Sequence, residues 1–172
     1  MSDDDKTFIG SPIPDLIYGL GGRIEWHGLD FAANFSGQRG NQVFNGKKAV
    51  RFGVENFETS YLNRWTGPGT SNTEPRVTTA GQNYQSSTRF IENGGFFKAN
   101  AVQLGYRLPL SVSNRLTAKS ARIYLNATNL FNHSDYSGYT PELTVEDVIR
   151  SGIDLGVFPS ARTITFGLDV SF

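Results

Sequence analysis

The sequence predicts an all-β chain, an antiparallel transmembrane β-barrel segment of about five strands with long loops on one side. Three observations predict it. Apolar residues recur at period two in five stretches, short and long connections alternate between those stretches, and aromatics sit at strand ends. Among 172 residues there are 19 Gly and 13 Phe, and aromatics reach 13 %, yet mean hydropathy is −0.34. Many aromatics spread among polar residues suit strands that alternate rather than helices that bury a stripe.

The first strand, 15–26, sets Leu16, Tyr18, Leu20, Ile24 and Trp26 on one face, with Gly22 in the missing position and Arg23 and Glu25 opposite. His27-Gly28 then makes a tight hairpin into 29–37, where Leu29, Phe31, Ala33 and Phe35 alternate against Asp30, Ala32, Asn34 and Ser36. A long loop, 38–95, leads to the third strand, 96–108, with Val102, Leu104, Tyr106 and Leu108 on one face. Pro109–Ser120 is a short connection to the fourth strand, 121–129, carrying Ile123, Leu125 and Ala127. A second long loop, 130–160, precedes the last strand, 161–172, in which Ile164, Phe166, Leu168, Val170 and Phe172 alternate against Thr163, Thr165, Gly167, Asp169 and Ser171. About ten residues is the length a tilted strand needs to cross a bilayer.

Alternation by itself also fits a soluble carbohydrate-binding β-sandwich, whose strands have one buried and one wet face. The connections favour the barrel. Both short turns fall at one end of the strands and both long loops at the other, as in transmembrane barrels, and Trp26, Tyr106 and Phe172 gather at the short-turn end as an aromatic girdle would. Five strands cannot close, because the smallest such barrels use about eight and open edges are not tolerated in lipid. The chain is therefore expected to be a piece of a larger barrel. The acidic opening Met1-Ser2-Asp3-Asp4-Asp5-Lys6 lacks the basic and then apolar pattern of a secretory signal, which fits the same expectation.

Composition narrows the function. Sixteen Lys and Arg balance sixteen Asp and Glu, which argues against a basic nucleic-acid surface. Zero Cys excludes a disulfide framework, a thiolate metal site and a Cys nucleophile, and two His, His27 and His133, are too few for a His-built zinc site. His133-Ser134-Asp135 puts three catalytic residue types side by side, but a relay needs them to meet through space. Gly19-Leu20-Gly21-Gly22 runs into more strand, so it is no dinucleotide loop. No catalytic residues, cofactor or metal ligands are expected.

The loops carry the remaining signals. Val50, Val54, Phe57, Tyr61 and Trp65 are spaced as an amphipathic helical stripe, and a second short helix is expected to start at Thr144 and leave at Gly152. Trp65, Tyr84, Tyr136 and Tyr139 are the loop aromatics that could meet a ligand or a covering partner; equally, they could hold the loops together.

Several blocks of the sequence resemble one family in order along the whole chain. Ile9-Gly10-Ser11-Pro12-Ile13-Pro14-Asp15 through Gly19, Gly37-Gln38-Arg39-Gly40-Asn41-Gln42-Val43-Phe44-Asn45, Arg64-Trp65-Thr66 with Glu74-Pro75-Arg76, and Ser86–Gly94 are similar to SusC/RagA-type TonB-linked outer-membrane proteins. So are Val102–Pro109, Arg122–Phe131, Tyr136–Glu142, Gly152-Ile153-Asp154 and Phe158–Leu168. The stretch Gly95–Ala101 departs from the family pattern and leaves the local strand detail there open. The resemblance implies the C-terminal part of a large barrel of about 22 strands with a plug. It further implies outer-membrane uptake of oligosaccharides or peptides, a SusD-like surface lipoprotein as lid, and energy through TonB, ExbB and ExbD. The plug and the TonB-contacting part are not in this sequence. The stretch Ile164, Phe166, Leu168, Val170 and Phe172 resembles the signal that the β-barrel assembly machinery reads. A signalling or structural barrel of the same family is the alternative within that resemblance.

Overall fold

The computed structural model describes residues 4, 6–50, 59–78, 81–115, 117–143 and 150–172. Its strands are β1 (Leu16–Trp26), β2 (Leu29–Arg39), β3 (Gln42–Asn45), β4 (Ile91–Asn93), β5 (Phe96–Arg107), β6 (Ser120–Ser134), β7 (Ile153–Asp154) and β8 (Thr163–Ser171). Five of them form one antiparallel sheet in the order β1-β2-β5-β6-β8. The sheet is open, with β1 and β8 at its edges, so the barrel is not closed within this chain. No helix among the described residues is long and apolar enough to cross a membrane.

Register explains what the alternation is for. Ile24, Phe31, Leu104, Leu125 and Phe166 lie side by side across the five strands. The next row is Trp26, Leu29, Tyr106, Ile123 and Leu168, and on the other side comes Gly22, Ala33, Val102, Ala127 and Ile164. A one-residue slip in any strand would break all three rows, so the pattern fixes the pairing. Among the described residues nothing covers this belt: Leu20, Ile24 and Phe166 are each about 70 % exposed, and even the central Leu104 and Leu125 remain about half exposed. A sandwich would place a second sheet on that face. The hydrophobic residues that are buried are mostly Ala, at 33, 49, 99, 118, 121 and 127, with Val43, Tyr61, Phe90 and Tyr136. Soluble proteins rarely leave so large an apolar patch uncovered.

The hairpin between β1 and β2 has two residues, His27 and Gly28, both at positive φ (48° and 87°). That is the geometry whose twist matches the flanking strands, and His tolerates it better than a β-branched residue would. The connection from β5 to β6 holds a short helix, α2 (Leu110–Arg115), that the alternating pattern does not foretell. Pro109 precedes its first residue, and the Ser113 amide donates to the Pro109 carbonyl at 3.1 Å.

At the opposite end the strands run further than alternation predicts, β2 to Arg39 and β6 to Ser134. The reason is a stepped bulge. Between matched partners β2 takes one step (Asn34 to Phe35), β5 two (Ala101 to Ala99) and β6 three (Thr128 to Phe131). Asn100 is the extra residue of β5, bonded to Ser36 Oγ at 2.9 Å; Asn129 sits at φ 51° and donates to the Ala161 carbonyl at 3.0 Å. Bulges add twist and re-aim side chains. Here the extra residue returns Phe97 and Ala99 to the apolar face, where Phe97 stacks on Phe35 at 5.6 Å and lies 5.9 Å from Phe131 and 6.4 Å from Tyr18. This aromatic cluster forms a second girdle at the long-loop end, within the stretch whose detail the sequence left open.

The long loops are not bare connections. Beyond the large sheet, β3, β4 and β7 form a small sheet in the order β4-β3-β7, with β3 and β7 parallel. The helical stripe expected from Val50 to Trp65 falls mostly on residues outside those described; what is described is α1 (Gly46–Val50) and a single 3₁₀ turn at Thr59–Asn63. The helix expected from Thr144 also lies outside the described residues, while Gly152 takes φ 78°.

Candidate functional site

Two polar arrangements flank the apolar belt. On the other face of the large sheet, Arg122 in β6 reaches Asp30 in β2 with two hydrogen bonds, Nε to Oδ2 at 2.8 Å and Nη2 to Oδ1 at 2.6 Å, and Asp169 in β8 with a third at 3.1 Å. The guanidinium also lies 5.1 Å from the Tyr124 ring. It can cross β5 only because residue 105 is Gly: a Cβ there would come 2.3 Å from Asp30 Oδ2 and 2.5 Å from Arg122 Nη2. One cation thus ties three strands together with the fork geometry that suits carboxylates. The sequence placed Asp30 and Arg122 on the polar face but gave no sign of their pairing, because they are not on adjacent strands.

At the long-loop end, the small sheet is tied to both loops and to the barrel strands. Glu92 in β4 is the hub. It accepts from Lys48 Nζ at 2.8 Å, Asn45 Nδ2 at 3.0 Å, and the Ser137 hydroxyl and amide at 2.9 and 2.8 Å. Burial pushes its carboxyl up, but those four donors outweigh burial and hold it below the usual range. Asp154 in β7 is fully buried and accepts from Tyr136 OH at 2.6 Å and from the Gly156 and Val157 amides at 2.7 and 2.9 Å. Burial again raises its carboxyl, and the Tyr136, Val157 and Gly156 donors, with Lys47 nearby, bring it net lower. Lys98 of β5 pairs with Glu142 at 2.5 Å, joining the second loop to the large sheet.

This packing separates the four aromatics singled out from the sequence. Tyr136 is buried and committed to Asp154, and Tyr84 is half-buried with its hydroxyl donating to the Thr78 carbonyl at 3.0 Å. Trp65 and Tyr139 turn outward, 36 % and 66 % exposed. Tyr139 stacks on the exposed Phe158 at 6.4 Å with planes 7° apart, under Lys47 Nζ at 4.4 Å. Trp65 lines a cleft of about 330 Å³ together with Ser71–Arg76 and Arg89. Arg89 pairs with Glu74 at 2.7 Å, and the Trp65 amide donates to the Glu74 carbonyl at 2.8 Å. Sequence reasoning picked Trp65 but not Glu74, Arg76 or Arg89; the charged Glu74-Pro75-Arg76 run was the available signal. The four aromatics do not form one cluster.

No protein-family model matches the chain. Over its whole length it is 32 % identical to TonB-dependent receptor P26 of Formosa agariphila and 29 % identical to TonB-dependent receptor SusC of Bacteroides thetaiotaomicron. Its fold matches a chain of the RagAB peptide importer in the closed-closed state along its full length, with a TM-score of 0.78 and 27 % identity. The chain belongs to the SusC/RagA-type TonB-dependent receptors. It spans 18 %, 16 % and 19 % of those three proteins, so the five strands of this SusC/RagA-type segment are a small part of a receptor barrel. The open edges at β1 and β8 and the uncovered apolar belt follow from that.

Proposed function

We propose that this segment is part of the barrel wall of an outer-membrane importer for oligosaccharides or peptides. The observation that carries the reading is the apolar belt: rows of Leu, Ile and Phe in cross-strand register on one face, with Arg, Asp, Asn, Gln and Thr on the other. Such a wall has lipid on one side and a polar lumen on the other. The small sheet and the exposed loop aromatics Trp65 and Tyr139 form outer surface for a nutrient or for a SusD-like lipoprotein lid. Energy comes through TonB, ExbB and ExbD by way of parts of the receptor outside this segment. Ile164, Phe166, Leu168, Val170 and Phe172 of the β8 stretch offer the assembly machinery an exposed edge and an apolar face.

The test is made on the full-length receptor. Fractionation is expected to place it in the outer membrane, migrating faster on gels before boiling than after. It is expected to co-purify with a surface lipoprotein, and its deletion should abolish growth on one glycan or peptide source. A soluble location, or unchanged uptake of every source in the deletion strain, contradicts the reading.

A further inference from the structure

We infer that the Trp65 cleft binds a sugar ring bearing a carboxylate, a uronate unit of an acidic oligosaccharide; this rests on the import reading and names its substrate class. Three features of the cleft lead there. Its shape is set by its own backbone bonds. The Trp65 amide is held by the Glu74 carbonyl in a parallel bridge, Thr70 Oγ1 accepts from the Thr66 and Gly67 amides at 2.9 and 3.1 Å, and Ser71 Oγ accepts from the Thr73 and Glu74 amides at 3.4 and 3.1 Å. Pro68 and Pro75 have no amide to offer. Within the wall itself the Trp65, Thr73 and Glu74 amides are engaged and Pro75 has none, so the run 71–76 offers no unbroken ladder of backbone donors to an extended peptide, which peptide recognition by strand addition requires.

The second feature is what remains available, which is side-chain chemistry. The partly exposed indole gives a flat apolar platform in the lining, the kind of surface on which the C–H face of a pyranose packs. Around it stand Asn72, Glu74, Arg76 and Arg89, all planar groups suited to paired hydroxyls or a carboxylate.

The third feature is charge. Glu74 Oε2 is matched by Arg89 Nη2, whereas Arg76, which also lines the cleft, makes no side-chain ion pair or hydrogen bond among the described residues. Two cations against one anion leave a net positive site. Arg76 can take a carboxylate by two parallel hydrogen bonds while the ring stacks on Trp65. Arg89, fixed by Glu74 and 5.5 Å from the Phe90 ring, stays in place beside it.

The experiment uses the purified full-length receptor in detergent and isothermal titration with tetragalacturonate, neutral maltotetraose and tetraglutamate. Tetragalacturonate is expected to bind, and rising salt to weaken it. Trp65→Ala and Arg76→Gln should each raise its Kd about tenfold, the loss expected for one aromatic stacking contact and one charge-assisted contact respectively, with Arg76→Lys in between. Heat-modifiable gel migration of each variant shows that its barrel is intact. The inference is overturned if maltotetraose binds as tightly, if tetraglutamate binds instead with the same sensitivity to Trp65, if tetragalacturonate does not bind, or if the intact variants bind it unchanged. A receptor that still imports a neutral glycan or a peptide after any of those results leaves the import reading standing. A receptor that is absent from the outer membrane removes both.

Discussion

Gly105 is the residue on which the polar face of the wall turns. Asp30 and Arg122 sit two strands apart, and only a strand without a Cβ between them lets the guanidinium through. Gly105→Val is expected to force Arg122 off Asp30 and leave that carboxylate on the polar face without its bidentate partner, a cost of about 1.5–3 kcal/mol for hydrogen bonds to a charged group. The full-length receptor carrying it should lose heat-modifiable migration at a lower temperature than the parent. Equal transition temperatures would mean that the three-strand tie adds nothing to the wall. The sequence showed that residue 105 faced the polar side, but it could not show why the position is Gly. That reason lies in a contact between β2 and β6, far apart along the chain. Tyr136 and Tyr139 teach the same lesson. Three residues apart and alike in type, they differ because Asp154 and Phe158, each many residues away, claim them differently.

At the scale of elements, the strands were legible and the loop sheet was not. Period-two alternation over about ten residues states both the face and the register of β1, β2, β5, β6 and β8, because lipid and lumen impose opposite demands on neighbouring side chains. The strand ends were misjudged where the stepped bulge at Asn100 and Asn129 breaks that period. The small sheet escaped notice because its strands have two to four residues, too few to show a period, and β3 pairs with β7 across more than a hundred residues. What holds it is polar, and this gives it a pH dependence. Glu92 and Asp154 both have lowered folded-state values, so each stabilises the loop sheet fully above the ordinary carboxylate range, about 4. That stability is lost as pH falls below this range and through the folded values. Limited digestion of the full-length receptor with pepsin should leave the two loops intact near pH 5 and cut them near pH 2–3 while the barrel strands survive. Glu92→Gln, which cannot lose charge in that window, should flatten the dependence. Loops that are cut equally at both pH values would show that these carboxylates do not hold them.

At the scale of the whole molecule, the chain is a wall and not a globule. Its large apolar residues are outside and its buried hydrophobics are mainly Ala, the reverse of a self-contained core. In the proposed wall, the Leu104–Leu125–Phe166 face meets lipid and the Gln103–Asn126–Thr165 face meets an aqueous lumen. The chain contains no Cys, so single cysteines can be introduced in turn along β5 and β8 of the full-length receptor once any cysteines elsewhere in it are replaced. Nitroxide labels on them then report collisions with oxygen, which concentrates in lipid, and with a water-soluble nickel complex. Oxygen maxima are expected at 102, 104, 106, 164, 166 and 168, with nickel maxima at the residues between them. Alternation with the opposite phase, or no alternation in either strand, would contradict it.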